Sequence, residues 1–158
     1  MTDFNILRKR YSEVLCGRGH SGKRTADCIL RSDERTEQRL AQLDTRIEKA
    51  ITSNEPGIVN ATLKGILDIS TSFSQNNSRF YHDENIKNKI FNALNALEKV
   101  YNDTIAPQGN WWYWEIGIPL SLNSIFTLMY DYADKSQLKR YMAAERHFND
   151  RIKLTGAN

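Results

Sequence analysis

No stretch of this sequence alternates apolar and polar residues convincingly enough to be a β-strand, and that absence alone points to an all-α chain. Cysteine is scarce. Cys16 and Cys28 are the only two, and they lack the spacing and histidine partners of a zinc site; free thiols are expected, with a disulfide open only to an exported chain. Met1-Thr2-Asp3-Phe4-Asn5 opens on an acid and no apolar run follows, so neither a signal peptide nor a membrane span is expected. Charge of one sign is also missing: the net charge is +3 with 26% charged residues, which reads as globular rather than disordered or strongly polyanion-seeking. Gly19-His20-Ser21-Gly22-Lys23-Arg24 lacks the wider glycine spacing, the Ser or Thr after the lysine and the preceding strand of a phosphate-binding loop. No cofactor or metal is implied.

Against that background one stretch stands out. Asn110-Trp111-Trp112-Tyr113-Trp114-Glu115-Ile116-Gly117-Ile118-Pro119 holds all three tryptophans of the chain. Neighbouring tryptophans cannot all point into one core from a helix or a strand, so at least one ring should face a cleft or the surface. Exposed rings beside a polar Asn suit a flat ligand with polar edges, such as a sugar ring, a nucleobase or a proline-rich peptide. The competing packing is a loop plug, with Trp111 and Trp114 inward and Trp112 laid against the chain.

The remaining pattern is helical, and a length of 158 residues suits one domain, 1–158. A first helix runs from Asp3 as N-cap through Phe4, Leu7, Tyr11, Val14 and Leu15 to Gly17. Residues 18–31 read as a flexible basic loop. Leu40, Leu43, Ile47 and Ile51 mark a helix from about Ser32 to Ser53, ended by Asn54-Glu55-Pro56-Gly57. The next carries Ile58, Leu63, Ile66, Leu67 and Ile69 and should dissolve into a loop over Ser70 to Ser78. Asp83 caps a helix built on Ile86, Ile90, Leu94, Leu97 and Tyr101, broken by Pro107 and Gly109. The tryptophan stretch then reads as a loop between helices. A further helix starts near Pro119 and buries Leu122, Ile125, Phe126 and Met129, and the last, from about Asp134, uses Leu138, Tyr141, Met142, Glu145 and Phe148, with Glu145 the odd polar member. Antiparallel hairpins of this kind stack into a bundle or curve into a solenoid or toroid with a concave groove.

The tryptophan stretch, followed by Leu122-Asn123 and Leu128-Met129, resembles the tryptophan-rich motif in the helical N-terminal domain of polysaccharide lyase family 8, which contains hyaluronate, chondroitin and xanthan lyases. Phe4-Asn5-Ile6-Leu7-Arg8-Lys9-Arg10-Tyr11 with Leu15-Cys16-Gly17 looks like the family's first helix, with Tyr11 where a tryptophan is usual. Leu154-Thr155-Gly156-Ala157-Asn158 is similar to the segment carrying the family's catalytic asparagine. The resemblance implies part of an incomplete α/α toroid with a substrate cleft along one side, acting on acidic polysaccharides by β-elimination and needing no cofactor. Asn158 matches the asparagine that binds the uronate carboxylate and stabilises the enolate-like state; Trp111 and Trp112 match the aromatic patch, and Asn110 the polar residue beside it. Family members are typically secreted.

The family's catalytic His and Tyr, which supply base and acid, lie beyond its asparagine motif. His20, His82 and His147 do not match that His, and no Tyr here matches the proton donor. Tyr113 stands where an Asp is common, and Leu120 where an Arg is common. The expectation is therefore the N-terminal piece of a lyase, inactive alone. The alternative is a non-catalytic carbohydrate-binding or helical interaction module that kept the aromatic platform. A nucleic-acid contact through Arg8-Lys9-Arg10, Arg18, Lys23 and Arg24 is disfavoured because acids nearly balance the bases. Oligomeric state is not legible.

Overall fold

The computed structural model describes residues 2–17 and 26–150. Six α-helices follow in order: α1 (Asp3–Leu15), α2 (Ala26–Ser53), α3 (Pro56–Ser74), α4 (Glu84–Leu97), α5 (Ile118–Met129) and α6 (Lys135–Asn149). A π-helical turn, Tyr113–Gly117, leads into α5, and a 3-10 turn, Tyr130–Tyr132, follows it. Among the described residues there is no strand, and no helix is long and apolar enough to cross a membrane. α3 is the organising element. It packs on α2, α4 and α5, and α1 lies against α5.

Chain breaks fall where local chemistry demands them. Asn54 adopts a left-handed φ of 50°, reversing the chain from α2 into α3, whose first residue is Pro56 with φ suited to a helical start. Asp83 caps α4 as expected, its Oδ1 accepting from the backbone N–H groups of Asn85 at 2.8 Å and Ile86 at 3.1 Å. Asp134 caps α6 through the N–H groups of Ser136 and Gln137.

Four expectations are corrected. Residues 26–31, placed in the basic loop, form the first turns of α2; residues 18–25 lie outside the described residues. Ser70 to Ser74 do not dissolve into a loop but continue α3. Their hydroxyls are satisfied inside the fold: Ser70 donates to the Ile66 carbonyl at 2.9 Å, and Ser72 meets Thr36 of α2 at 2.9 Å in a buried pair. Serine's low helical preference reflects competition for backbone groups, and a buried hydroxyl that bonds within or across helices removes that competition. Asp3 is the first helical residue of α1 rather than its cap; Thr2 holds the cap position without a side-chain bond. Much of the apolar face of α1 is open, with Phe4, Leu7 and Val14 all exposed; α1 meets the rest through Leu15, packed against the core, through Phe4 against Tyr130 at 5.5 Å, through Tyr11, whose hydroxyl meets that of Ser124 at 3.1 Å, and through Arg8 on Asp131.

The core is continuous from α2 to α6. At the α6 end Tyr101, Trp114 and Phe148 stack, with centroid separations of 4.8 Å for Tyr101–Phe148 and 4.9 Å for Trp114–Phe148. His147, in the last turn of α6, donates its Nε2–H to the Ile105 carbonyl at 3.0 Å and ties α6 to the segment before the tryptophans. Glu145, two residues earlier, is buried. Its Oε2 accepts from Asn123 Nδ2 at 3.2 Å, while Oε1 is buried with no partner.

That burial raises the Glu145 carboxyl from an ordinary 4.5 to about 7, against the opposing effect of the Asn123 hydrogen bond. A carboxyl whose folded-state pKa lies above its free value stabilises the fold fully below about 4.5 and loses that contribution as pH rises through about 7. Stability should therefore fall by roughly 2–3 kcal/mol between pH 4.5 and pH 8 on this account alone. Glu145→Gln, which keeps the acceptor for Asn123 and removes the charge, should raise Tm at pH 8 and leave it nearly unchanged at about pH 4. Thermal denaturation followed by circular dichroism checks this, and equal shifts at both pH values would contradict it.

Candidate functional site: an aromatic platform at the start of α5

The tryptophan stretch is helical, not a loop. Gly109 takes a left-handed φ of 69°, and Asn110 then opens a helical segment by accepting the Trp112 N–H on its Oδ1 at 3.0 Å. Trp111 and Trp112 form its first turn. From Tyr113 to Gly117 the winding widens to a π-turn, closed by the Ile118 N–H donating to the Tyr113 carbonyl, before ordinary α-helix resumes.

This winding separates the three tryptophans. Trp114 is 1% exposed, against 49% for Trp111 and 38% for Trp112. Trp114 is held on three sides: its Nε1–H donates to the Gln108 carbonyl at 2.7 Å, its ring stacks on Phe148, and Tyr101 donates to its carbonyl at 3.4 Å. The buried N–H thus has a partner, as a core tryptophan requires. Of the two packings open from sequence, the plug with Trp111 inward is not the one adopted; Trp114 alone is the core anchor.

Trp112 is seated rather than free. A Cβ placed on Gly117 would lie 2.7 Å from the Trp112 ring, so the ring occupies the space that any other residue at 117 would fill. The two positions are five apart, the spacing that a π-turn stacks one above the other. Asn60 of α3 lies under the same spot: its Oδ1 is 3.2 Å from that Cβ position, and the atom is buried without a hydrogen bond. Tyr113 meets Trp112 edge-on at 5.4 Å and lays its ring against Gly57 at the start of α3. The arrangement is one exposed indole braced from beneath, with a second beside it.

Asn110, Trp111 and Trp112 are therefore brought together, whereas Asn158 lies outside the described residues. Asn110 spends its side-chain oxygen on the helix cap, which leaves its NH2 group as the part able to donate to a ligand. Sequence reasoning missed Asn60, which has no distinguishing pattern on α3, and the role of Gly117, whose only signal is its distance of five residues from a tryptophan. Among the described residues no group of three His, Cys, Asp or Glu side chains could hold a metal ion.

The sequence model of polysaccharide lyase family 8, N-terminal alpha-helical domain, matches residues 27–158. The chain belongs to polysaccharide lyase family 8. Its relatives include a xanthan lyase from a Bacillus species, 29% identical over 99% of this chain, and a hyaluronate lyase from Thermasporomyces composti, 25% identical over 99%. The family 8 chain covers 18% and 21% of those two proteins, about a fifth of their length. Two solved structures share its fold: a Paenibacillus xanthan lyase, with TM-score 0.71 and 20% identity over 99% of this chain and 16% of that one, and a Streptomyces coelicolor chondroitin AC lyase in complex with chondroitin sulphate, with TM-score 0.71 and 20% identity over 93% of this chain and 21% of that one. The expected all-α architecture of helical hairpins from an α/α toroid is thereby established for this family 8 chain.

The seat of Trp112 is testable directly. Gly117→Ala should lift the indole from its place, seen as a movement of the Trp112 indole N–H resonance in a 15N spectrum while that of Trp114 stays put. Folding stability should fall by about 1–2 kcal/mol, because the methyl also presses on the buried Asn60 side chain, whose Oδ1 is 3.2 Å from it, and this outweighs alanine's better helix propensity. An unmoved Trp112 resonance would show that the ring does not depend on the glycine.

Proposed function

We propose that this chain is the substrate-holding N-terminal part of a lyase that cleaves uronic-acid-containing polysaccharides of the hyaluronan, chondroitin or xanthan type by β-elimination. The observation carrying this reading is the outward pair Trp111 and Trp112, one of them braced on Gly117, with Trp114 anchoring the same turn in the core. An aromatic face of this kind takes the apolar side of a pyranose ring, while polar neighbours such as the Asn110 NH2 group meet its hydroxyls. The family membership supplies the polymer class: the relatives are named for xanthan, hyaluronate and chondroitin.

In the reaction, Asn158 donates to the uronate carboxylate and favours the negative charge that builds on it when the C5 proton leaves. Trp111 and Trp112 hold the polymer in register for that contact. The proton must go to a base and the glycosidic oxygen must receive one as the C4–O bond breaks; no His or Tyr of this chain matches the family residues with those roles. Each such group is worth about 10²–10⁴-fold in rate, so the chain by itself binds and does not turn over.

Two measurements test the reading. Incubated with hyaluronan, chondroitin or xanthan, the purified chain should produce no ultraviolet absorbance from unsaturated uronate, and robust turnover would overturn the division of labour. Oligosaccharide titration followed by tryptophan fluorescence should show binding that Trp111→Ala or Trp112→Ala weakens by about tenfold, equal to ~1.4 kcal/mol. Asn158→Ala should weaken binding of the uronate form and not of its carboxyl-reduced form; equal losses for both would leave a platform without a carboxylate site.

A further inference from the structure

A second group of exposed aromatic side chains lies at the far end of α5. Tyr130 and Tyr132 follow the helix directly, and Tyr81 and His82 come from the turn between α3 and α4. Together with Arg8 and Lys9 of α1 they line a predominantly polar cleft of about 670 Å3. That volume falls within the roughly 300–1,000 Å3 usual for small-molecule sites. Because the chain is helical without a break from Trp111 to Tyr130, this cleft and the tryptophan platform are separated by roughly 28 Å along the axis, at ~1.5 Å per residue.

The cleft is preorganised. His82 takes a left-handed φ of 53°, held by its N–H donating to the Phe73 carbonyl at 3.0 Å and by the Asp83 cap that follows. In that conformation its imidazole stacks on Tyr81, with centroids 4.0 Å apart. The buried Phe73 backs both His82, at 5.4 Å, and Tyr132, at 5.3 Å. The three tyrosines keep about two-fifths of their surface open, at 42%, 38% and 41% for Tyr81, Tyr130 and Tyr132. Arg8 lies over the Tyr130 ring and forks onto Asp131, while its Nε is buried without an acceptor. Aromatic faces fixed by packing lose little entropy on binding, and the surrounding hydroxyl and N–H groups are hydrogen-bonding partners for a hydroxyl-rich ring.

Charge selects among flat ligands. Arg8 and Lys9 line the cleft together with Glu13 of the same helix and Asp131, so the lining is nearly neutral and offers little to a strand with a phosphate on every residue. It suits a sparsely charged, hydroxyl-bearing ring. We propose that this cleft is a second saccharide-binding site, taking one pyranose unit against Tyr81 and Tyr130 with Arg8, Lys9 and His82 around its hydroxyls. The choice of a sugar rests on the polysaccharide reading above; the position of the site rests on the cleft itself. A polymer long enough to span both sites would be held at two points, which raises its apparent affinity over that of a short oligosaccharide.

The test uses the 15N-labelled chain titrated with hyaluronan and xanthan oligosaccharides. Saturable shifts are expected at the amides of 81–82 and 130–132, retained in the Trp111→Ala/Trp112→Ala double variant and weakened at least tenfold in Tyr81→Ala and Tyr130→Ala, whose exposed side chains can be cut without unfolding the core. Shifts confined to 111–117 would overturn the second site and leave the platform standing. Shifts confined to the cleft would support this site and remove the platform reading. No shift anywhere up to millimolar sugar would overturn both, and tighter binding of a single-stranded oligodeoxynucleotide in the cleft would overturn the choice of a sugar.

Discussion

Everything outward-facing at the platform depends on one inward-facing side chain. Trp114 is closed in by Tyr101 and Phe148 and bonded to the Gln108 carbonyl, and that fixes the rotation of the helical segment around it. With Trp114 pointing to the core, Trp112, two positions earlier, is turned away from it, while Trp111, three positions earlier, would share its face in an α-helix; the wider winding of the π-turn rotates Trp111 off that face as well, and the two are exposed together. An ordinary α-helix would then carry Trp112 past the residue on which it could rest. The π-turn supplies the extra residue that brings Gly117 beneath it, and the absence of a Cβ there gives the ring its seat. Anchor, winding and glycine act as one device, so the platform is held by the core and not by contacts at its own surface.

The same core reaches the platform through α3. This helix is buried on most of its length, and its two ends do different things. At the start, Gly57 lets Tyr113 approach, and Asn60 lies under Trp112. At the far end, Thr36, Ser32 and Ser72 form a hydroxyl seam with α2, and buried Asp33 accepts from the Ser78 hydroxyl at 2.6 Å and the Arg79 N–H at 3.0 Å. Such a seam contributes less net stability than apolar packing, yet each of its members would cost more if left unpaired. It therefore fixes the register of α2 on α3, and with it the position of the Ser78 to Asp83 turn that carries Tyr81 and His82.

What could be read from the sequence was whatever local chemistry decides alone. Asp83 before a strongly periodic segment, Pro56 after Asn54, and Asp134 before the last helix are caps and breaks whose action is complete within a few residues, and α4 was legible for that reason. Ser70 to Ser74 were misread because their helical state depends on partners 36 residues away, such as Thr36 for Ser72. The start of α2 is not legible because the Gly-bearing basic run 18–24 just before it obscures where the helix begins, although no helix breaker lies between Ala26 and Ser32. The tryptophan stretch itself was half legible. Adjacent tryptophans require one exposed ring in any winding, but which ring is buried depends on Tyr101 and Phe148, which lie far from it in the sequence. A π-turn leaves no periodicity in five residues from which it could be recognised.

The two departures from the family pattern acquire different meanings once placed. Tyr113 lies against Gly57 and meets Trp112 edge-on, so a residue that is commonly an acid has become part of the packing beneath the platform. Leu120 is 60% exposed. Standing three residues beyond Gly117, it occupies a neighbouring face of the same helix, where the arginine common in the family would project into solvent. Losing an acid and a base together strands no buried charge, and it leaves one cation fewer on the exposed face of α5. On the polysaccharide reading proposed above, attraction at this point rests on aromatic contact and hydrogen bonding more than on charge. Contacts of that kind are short-ranged and weakly screened by salt, and they reward a ring held still, which is what the glycine seat of Trp112 provides.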